Sequence, residues 1–248
     1  MMIKYAILGM LQGMTEFLPV SSSGHLVIAG RLLGLSGEEL IISVVLHLGT
    51  ALALVVFFFK DLLDLYKKPK VVFCLAVTTV ITGIIGFLGK DFFESLFSSV
   101  SLVAWALMVT GVILIATKKF LVGRREDINL KDAVILGLTQ AVAIIPGISR
   151  SGTTISTLLF RGIKKEESFR FAFMAAIPVI LGAALLEAKG ISLKSGINNE
   201  GLIVGFIFSF IAGLVSLRFL KLILKRARLH YFGYYCIIVA AAALLFLR

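Results

Sequence analysis

The sequence predicts an all-α integral membrane protein with six transmembrane helices and two re-entrant helix-loop-helix hairpins arranged as an inverted-topology repeat. The first observation is composition: the 248 residues are 59% hydrophobic and only 16% charged, against about 45–50% and about 25% in soluble proteins. The second is that the charged residues form short clusters between uncharged apolar runs. The third is that two apolar regions are broken in the middle. A water-soluble fold is excluded, and residues 1–248 are expected to form a single membrane domain.

Six uncharged runs are long enough to cross a hydrocarbon core about 30 Å thick. They are residues 41–59, 71–89, 96–117, 171–186, 201–217 and 231–247. Two further regions, 5–30 and 133–160, are interrupted by segments rich in Pro, Gly and Ser at 19–24 and 146–152, and such residues end helices. Each arm of about a dozen residues reaches roughly halfway across a bilayer at about 1.5 Å per residue. We therefore expect re-entrant hairpins rather than kinked spans.

The distribution of positive charge favours the re-entrant arrangement. With both hairpins re-entrant, 18 Lys and Arg residues lie in loops on one side and six on the other; if both regions cross fully, the division is 13 against 11. Because positive residues mark cytoplasmic loops, the first arrangement places both termini outside the cytoplasm. The net charge of +11 is then a topology signal, and nucleic acid is not an expected partner.

An internal repeat appears when the chain is aligned with itself at an offset of 128 residues. Ten of 33 positions are then identical without a gap, among them Gln12 with Gln140, Gly34 with Gly162, and Glu38 with Glu166. The repeats are predicted as 1–118, with its hairpin at 5–34, and 129–248, with its hairpin at 133–161. Each half carries three spans, so the second half is inverted and the hairpin tips should meet near the midplane.

The repeat is asymmetric in its ionisable residues. Among the charged side chains, only Glu16 and Arg150 fall inside the apolar or re-entrant regions, where such residues are costly and by default functional. Glu16 aligns with Ile144 and His25 with Thr153. One hairpin therefore supplies a carboxylate and an imidazole, whereas the other supplies a guanidinium. His47 lies within a span and aligns with Ala175, so we expect it to be structural.

Two helix starts directed at one point favour an anion, because their N–H groups and dipoles are positive there. Arg150 adds a bidentate ligand suited to phosphate, and Gln12 shares a helical face with Glu16. We expect His25 to be catalytic, since histidine exchanges protons near neutral pH. The residues predicted to contact the phosphate are Gln12, Ser21, Ser23, Gly24, Ser149, Ser151, Gly152, Thr153 and Thr154.

Residues 12–26 (QGMTEFLPVSSSGHL) and 146–154 (PGISRSGTT) closely resemble the two signature motifs of the bacterial undecaprenyl-diphosphate phosphatase family linked to bacitracin resistance. The resemblance covers essentially the whole chain. It implies hydrolysis of undecaprenyl diphosphate to the monophosphate, which recycles the lipid carrier for peptidoglycan synthesis. The catalytic residues it implies are Glu16, Ser22, His25 and Arg150. Many members of that family carry Glu at the position of Gln12 and Thr at that of Ser23.

The resemblance also implies a divalent cation, Mg²⁺ or Ca²⁺, with Glu16 as a ligand. Expected partners are the lipid substrate and the bilayer, and a homodimer is left open. The expected location is the bacterial cell membrane, with the active site opening to the outer face. Three routes to hydrolysis stay open: attack by Ser22 with His25 or Glu16 as base, direct attack by His25, and attack by a water that Glu16 activates. The alternative function is a secondary transporter or flippase of a lipid phosphate or other anion.

Overall fold

The computed structural model describes residues 2–33, 39–97, 99–120, 123–188 and 199–246. Within these ranges the chain is helical, and its only β-type pairing is an isolated bridge between Arg125 and Ile163. The helices are α1 (Met2–Phe17), α2 (Ser22–Leu33), α3 (Glu39–Phe57), α4 (Phe59–Leu63), α5 (Pro69–Leu88), α6 (Lys90–Leu96), α7 (Val100–Ala116), α8 (Leu130–Val142), α9 (Arg150–Phe160), α10 (Lys165–Ala188), α11 (Asn199–Lys225) and α12 (His230–Phe246). The prediction of an all-α protein is confirmed. Gly34 and Glu38 of the repeat alignment lie outside the described residues.

Five helices are long and apolar enough to cross a membrane, and they are α3, α5, α7, α10 and α11. Each corresponds to one of the six predicted spans, and α12, with 17 residues, is a shorter apolar helix at the sixth. Both interrupted regions are broken where the sequence predicts. The first hairpin is α1 and α2 with a turn at 18–21, and the second is α8 and α9 with a turn at 143–149.

Small residues allow α1 to lie close against α11. A Cβ atom on Gly9 would stand 2.3 Å from the carbonyl oxygen of Gly205, and one on Gly13 would stand 2.4 Å from that of Ser209. No side chain fits at such distances, so glycine is required at both positions. The Gly-x-x-x-Gly spacing along the first arm is therefore a packing motif, as is common for helices in membranes.

Helix packing pairs elements from the two halves of the chain. Helix α1 packs on α11 and α8 packs on α5; α3 packs on α11 and α10 packs on α5. Helix α7 packs on α12, and α3 on α10. Within the hairpins, α1 contacts α2 and α8 contacts α9.

The two hairpin turns contact each other in the interior. A Cβ atom on Gly24 would meet Cα of Gly147 at 3.4 Å, and one on Gly152 would meet Cβ of Pro19 at 3.2 Å. Ser151 Oγ donates a hydrogen bond to the carbonyl oxygen of Leu18 at 3.2 Å. The predicted meeting of the tips is confirmed.

Candidate active site

The turns of both hairpins are organised by matching serines. In the first, the N–H of Gly24 donates to Ser21 Oγ at 3.3 Å; in the second, the N–H of Gly152 donates to Ser149 Oγ at 3.1 Å. Each hydroxyl satisfies a helix-start N–H that has no partner within its own helix. The starts of α2 and α9 are thus capped alike, 128 residues apart.

Ser21 differs from Ser149 in its backbone. Its φ angle is +67°, a left-handed conformation that a residue with a Cβ adopts only at a cost. The side chain of His25 supports this conformation, because Nδ1 lies 2.8 Å from the carbonyl oxygen of Ser21. Since a carbonyl only accepts hydrogen bonds, Nδ1 carries the proton.

Glu16 and Arg150 meet between the two hairpins. Arg150 Nη2 donates a hydrogen bond to Glu16 Oε1, forming an ion pair between residues 134 positions apart in sequence. Glu16 is only 5% exposed. A buried carboxylate requires such partners because an unpaired charge in an apolar interior is very costly.

The second carboxylate oxygen of Glu16 faces a hydroxyl and an amide. Ser22 Oγ donates to Oε2 at 2.5 Å, and Gln12 Nε2 donates to the same oxygen at 3.1 Å. His47 Nε2 stands 3.9 Å from Oε2. A hydroxyl bonded to a carboxylate is the arrangement in which a general base activates a nucleophile.

These residues line a cavity of about 160 Å³. Because one water needs about 10–15 Å³ of such space, the cavity has room for several water molecules. Its polar lining is Thr15, Glu16, Ser21, Ser22, Ser23, His47, Gln140, Ser149 and Arg150. Its apolar lining is Ala143, Ile144, Ile148, Val179, Ile180 and Ala183.

Several predicted phosphate contacts lie outside this lining. Gln12 does not line the cavity, and its link to the site is the hydrogen bond that its Nε2 donates to Glu16. Thr154 Oγ1 is bonded to the carbonyl oxygens of Arg150 and Ser151 in its own helix, and Gly24 and Gly152 serve the contact between the turns. Ser151 and Thr153 are likewise absent from the lining.

His25, which the sequence indicates as catalytic, is absent from this lining. Its ring stacks on Tyr235 of α12, with centroids 5.7 Å apart, and its Nε2 lies 2.8 Å from the Tyr235 hydroxyl. Both ring nitrogens are therefore engaged, one by Ser21 and the other by Tyr235. The imidazole that lines the cavity is His47, which the sequence indicated as structural.

Besides Thr15, Gln140 is another polar residue of the lining that sequence reasoning did not assign to the site. Its Nε2 donates to Thr82 Oγ1 at 3.2 Å, while its Oε1 is buried with no hydrogen-bond partner, as is Oε1 of Gln12. The identity of Gln12 and Gln140 in the repeat was the signal that could have found it. No sequence signal pointed to His47.

An apolar groove adjoins the cavity and shares Ile144, Val179 and Ala183 with it. The groove has a volume of about 350 Å³ and lies between α5, α6 and α10. Two glycines, Gly83 and Gly182, face it with no atom within 4 Å of an added Cβ. Lys90, Glu94 and Glu187 also line this groove.

The fold and this site define a multi-pass membrane protein with a buried polar cavity suited to an anionic group. The profile of the bacitracin resistance protein BacA family matches residues 5–242. An undecaprenyl-diphosphatase of Halothermothrix orenii is 40% identical over 245 residues, covering 95% of this chain and 94% of the relative. The undecaprenyl-diphosphatase of Carboxydothermus hydrogenoformans is 39% identical over 96% of this chain and 94% of its own length. The chain belongs to the BacA family.

Proposed function

We propose that this protein hydrolyses undecaprenyl diphosphate to undecaprenyl phosphate and inorganic phosphate in the bacterial cell membrane. The observation that carries the proposal is the group formed by Arg150, Glu16 and Ser22 between two helix starts. Relatives nearly 40% identical over almost the whole chain bear the name of this activity. The function would recycle a lipid carrier for cell-wall synthesis and thereby confer resistance to bacitracin.

Arg150 and the starts of α2 and α9 would bind the terminal phosphate. A guanidinium has five N–H donors, and Nη2 is the group engaged by Glu16, so other donors remain for phosphate oxygens. The helix starts add N–H groups and a partial positive charge. In phosphoryl transfer, positioning and electrostatic stabilisation of this kind supply most of the rate.

Ser22 is the nucleophile that this geometry favours. Its Oγ attacks the terminal phosphorus, the P–O bond to undecaprenyl phosphate breaks, and the hydroxyl proton moves to Glu16 Oε2, to which it is already hydrogen bonded. A water then hydrolyses the phosphoserine and releases inorganic phosphate. Direct attack by His25 is disfavoured, because both of its nitrogens are bonded outside the cavity.

A divalent cation, Mg²⁺ or Ca²⁺, fits this donor set. Both ions prefer oxygen ligands, and the carboxylate of Glu16 lies close to Gln12, whose Oε1 is buried without a partner, as is that of Gln140 on the cavity wall. No group of three His, Cys, Asp or Glu side chains that could hold a metal occurs in the described part of the chain. The substrate's own oxygens would complete the coordination. The cation would neutralise charge on the diphosphate.

The prenyl chain would occupy the apolar groove, which is continuous with the cavity through Ile144, Val179 and Ala183. The distribution of Lys and Arg places one end of the groove, with Lys90, Glu94 and Glu187, on the exterior side of the membrane. The headgroup would then enter from the outer face of the membrane, with its tail between α5 and α10.

The topology we propose has six spans and two re-entrant hairpins, in repeats 1–118 and 129–248. Helix α12 has 17 residues, the lower end of the range that spans a bilayer. Exchanging the two halves converts the α1–α11 contact into α8–α5 and the α3–α11 contact into α10–α5. Cysteines placed near Lys68 and Lys165 should both be labelled from the cytoplasmic side, and labelling of the second from outside would refute the inverted repeat.

Measuring phosphate release in detergent distinguishes hydrolysis from the transporter alternative. No gradient exists in detergent, so transport gives no signal in this assay. Purified protein given undecaprenyl diphosphate should release one phosphate per lipid. Arg150→Gln should lose most of that activity, whereas Arg218→Gln, which changes an arginine outside the cavity, should retain it. Absence of phosphate release by correctly folded wild-type protein would refute the proposed function.

A further inference from the structure

We infer that His47 is the general base that activates the water in the second half of the reaction. The inference rests on the proposed function and deepens it. It assigns to α3 a role in catalysis that the two hairpins alone do not supply.

The hydrogen bond of Nδ1 fixes the protonation of the His47 ring. Nδ1 lies 2.8 Å from the carbonyl oxygen of Ser43, one turn earlier in α3. A carbonyl only accepts, so Nδ1 carries the proton, and the neutral ring has its lone pair on Nε2. The nitrogen that can take a proton is therefore the one that faces Glu16.

Nε2 of His47 is free to act on a molecule in the cavity. Its distance of 3.9 Å from Glu16 Oε2 exceeds that of a hydrogen bond, and no other partner for Nε2 occurs among the described residues. His47 lines the same cavity as Ser22 and Arg150. Its side chain is 28% exposed, so a proton taken from water has a route out.

His25 is the contrasting case in the same protein. Its Nδ1 is bonded to Ser21 and its Nε2 to Tyr235, so in the neutral ring no nitrogen is left to take a proton. The hydrogen bond of its Nδ1 supports the left-handed turn at Ser21. Of the two histidines, His47 is therefore the one that can take a proton from the attacking water.

The step conserves every proton. When Ser22 has attacked, Glu16 holds the serine proton and the phosphoryl group is on Oγ. The water oxygen then attacks phosphorus, one water proton moves to His47 Nε2, and the P–Oγ bond breaks. Ser22 Oγ recovers the proton from Glu16, phosphate leaves, and His47 returns its proton to solvent.

The test is to measure the two products separately in His47→Gln. Quenched-flow assays in detergent should show a first turnover of undecaprenyl phosphate at nearly the wild-type rate. Phosphate release should slow by about 10²- to 10³-fold, within the usual range for loss of a general base, and acid-stable phosphate should accumulate on Ser22. His47→Asn, which keeps a donor for the Ser43 carbonyl, should behave alike.

Free imidazole should restore phosphate release in His47→Ala, a rescue that a purely structural role does not produce. His230→Gln, the same change at a histidine outside the cavity, should stay within about twofold of wild type. If both products slow equally in His47→Gln, or if neither slows, the inference is wrong. A wild-type protein without turnover would instead refute the proposed function.

Discussion

Replacing Glu16 by glutamine removes the group on which the proposed chemistry converges. One carboxylate oxygen accepts from Arg150 and the other from Ser22 and Gln12. A glutamine offers one oxygen and one NH₂ group. In either orientation, Arg150 or Ser22 therefore faces an NH₂ group in place of an acceptor.

The expected loss of turnover follows from the role of Glu16 as base. General bases contribute about 10²- to 10⁴-fold, which is about 3–5 kcal/mol of transition-state free energy at about 1.36 kcal/mol per factor of ten. Because 19% of the Arg150 side chain is exposed, its charge keeps access to the cavity in the variant. The loss of stability should therefore be smaller than the usual cost of breaking a buried ion pair, which is about 3–5 kcal/mol.

The assay is phosphate release from undecaprenyl diphosphate in detergent, with the thermal unfolding temperature measured on the same preparation. Asp132→Asn is the matched control, because Asp132 is also a buried carboxylate paired with arginines, Arg125 and Arg161, but lies outside the cavity. The control should lose stability without a specific loss of turnover. Turnover of Glu16→Gln within threefold of wild type would refute the assignment.

Three further outcomes are expected. Ser22→Ala should lower turnover by about 10³-fold and abolish acid-stable phosphoprotein, measured by acid quench, whereas turnover within tenfold of wild type would eliminate the serine route. Gly182→Leu should raise KM for undecaprenyl diphosphate about tenfold, since each displaced methylene costs about 0.8 kcal/mol; an unchanged KM would place the tail elsewhere. Burial opposes ionisation of Asp132, but hydrogen bonds from Arg125 and Arg161 outweigh it and hold its pKa below the ordinary value. The stability from Asp132, about 1.5–3 kcal/mol, should therefore be present above about pH 4 and decline as pH falls through the lowered pKa; thermal melts in which wild type and Asp132→Asn differ equally from pH 7 to pH 3 would contradict this.

The sequence was sufficient to place the long apolar helices, the arms of both hairpins and the two turns, but not the short helices α4 and α6. Pro, Gly and Ser clusters interrupt apolar regions that are otherwise long enough to span, and the helices end at those clusters. The repeat alignment also predicted that the two tips meet, which brings Glu16 to Arg150. These features follow from local composition and from the internal repeat, so they can be predicted from the sequence alone.

The choice between the two histidines was not readable in the same way. Which imidazole faces the cavity depends on the face of α3 that packs against α1 and on a tyrosine 210 residues away from His25. His25 lies in a signature motif and was therefore the natural candidate, whereas His47 lies in an ordinary apolar span. Tertiary packing determines which histidine faces the cavity, and no local sequence pattern predicts it.

The central claim is that the diphosphate binds between the starts of α2 and α9, with Arg150 as its cationic ligand. A structure of the protein with a prenyl methylenediphosphonate, in which carbon replaces the scissile oxygen, tests this most directly. The account predicts density for the terminal phosphonate in the cavity, within hydrogen-bond distance of Arg150 and beside Ser22 Oγ, with the prenyl chain in the apolar groove. A headgroup bound outside this cavity, with Arg150 still paired only to Glu16, would contradict it.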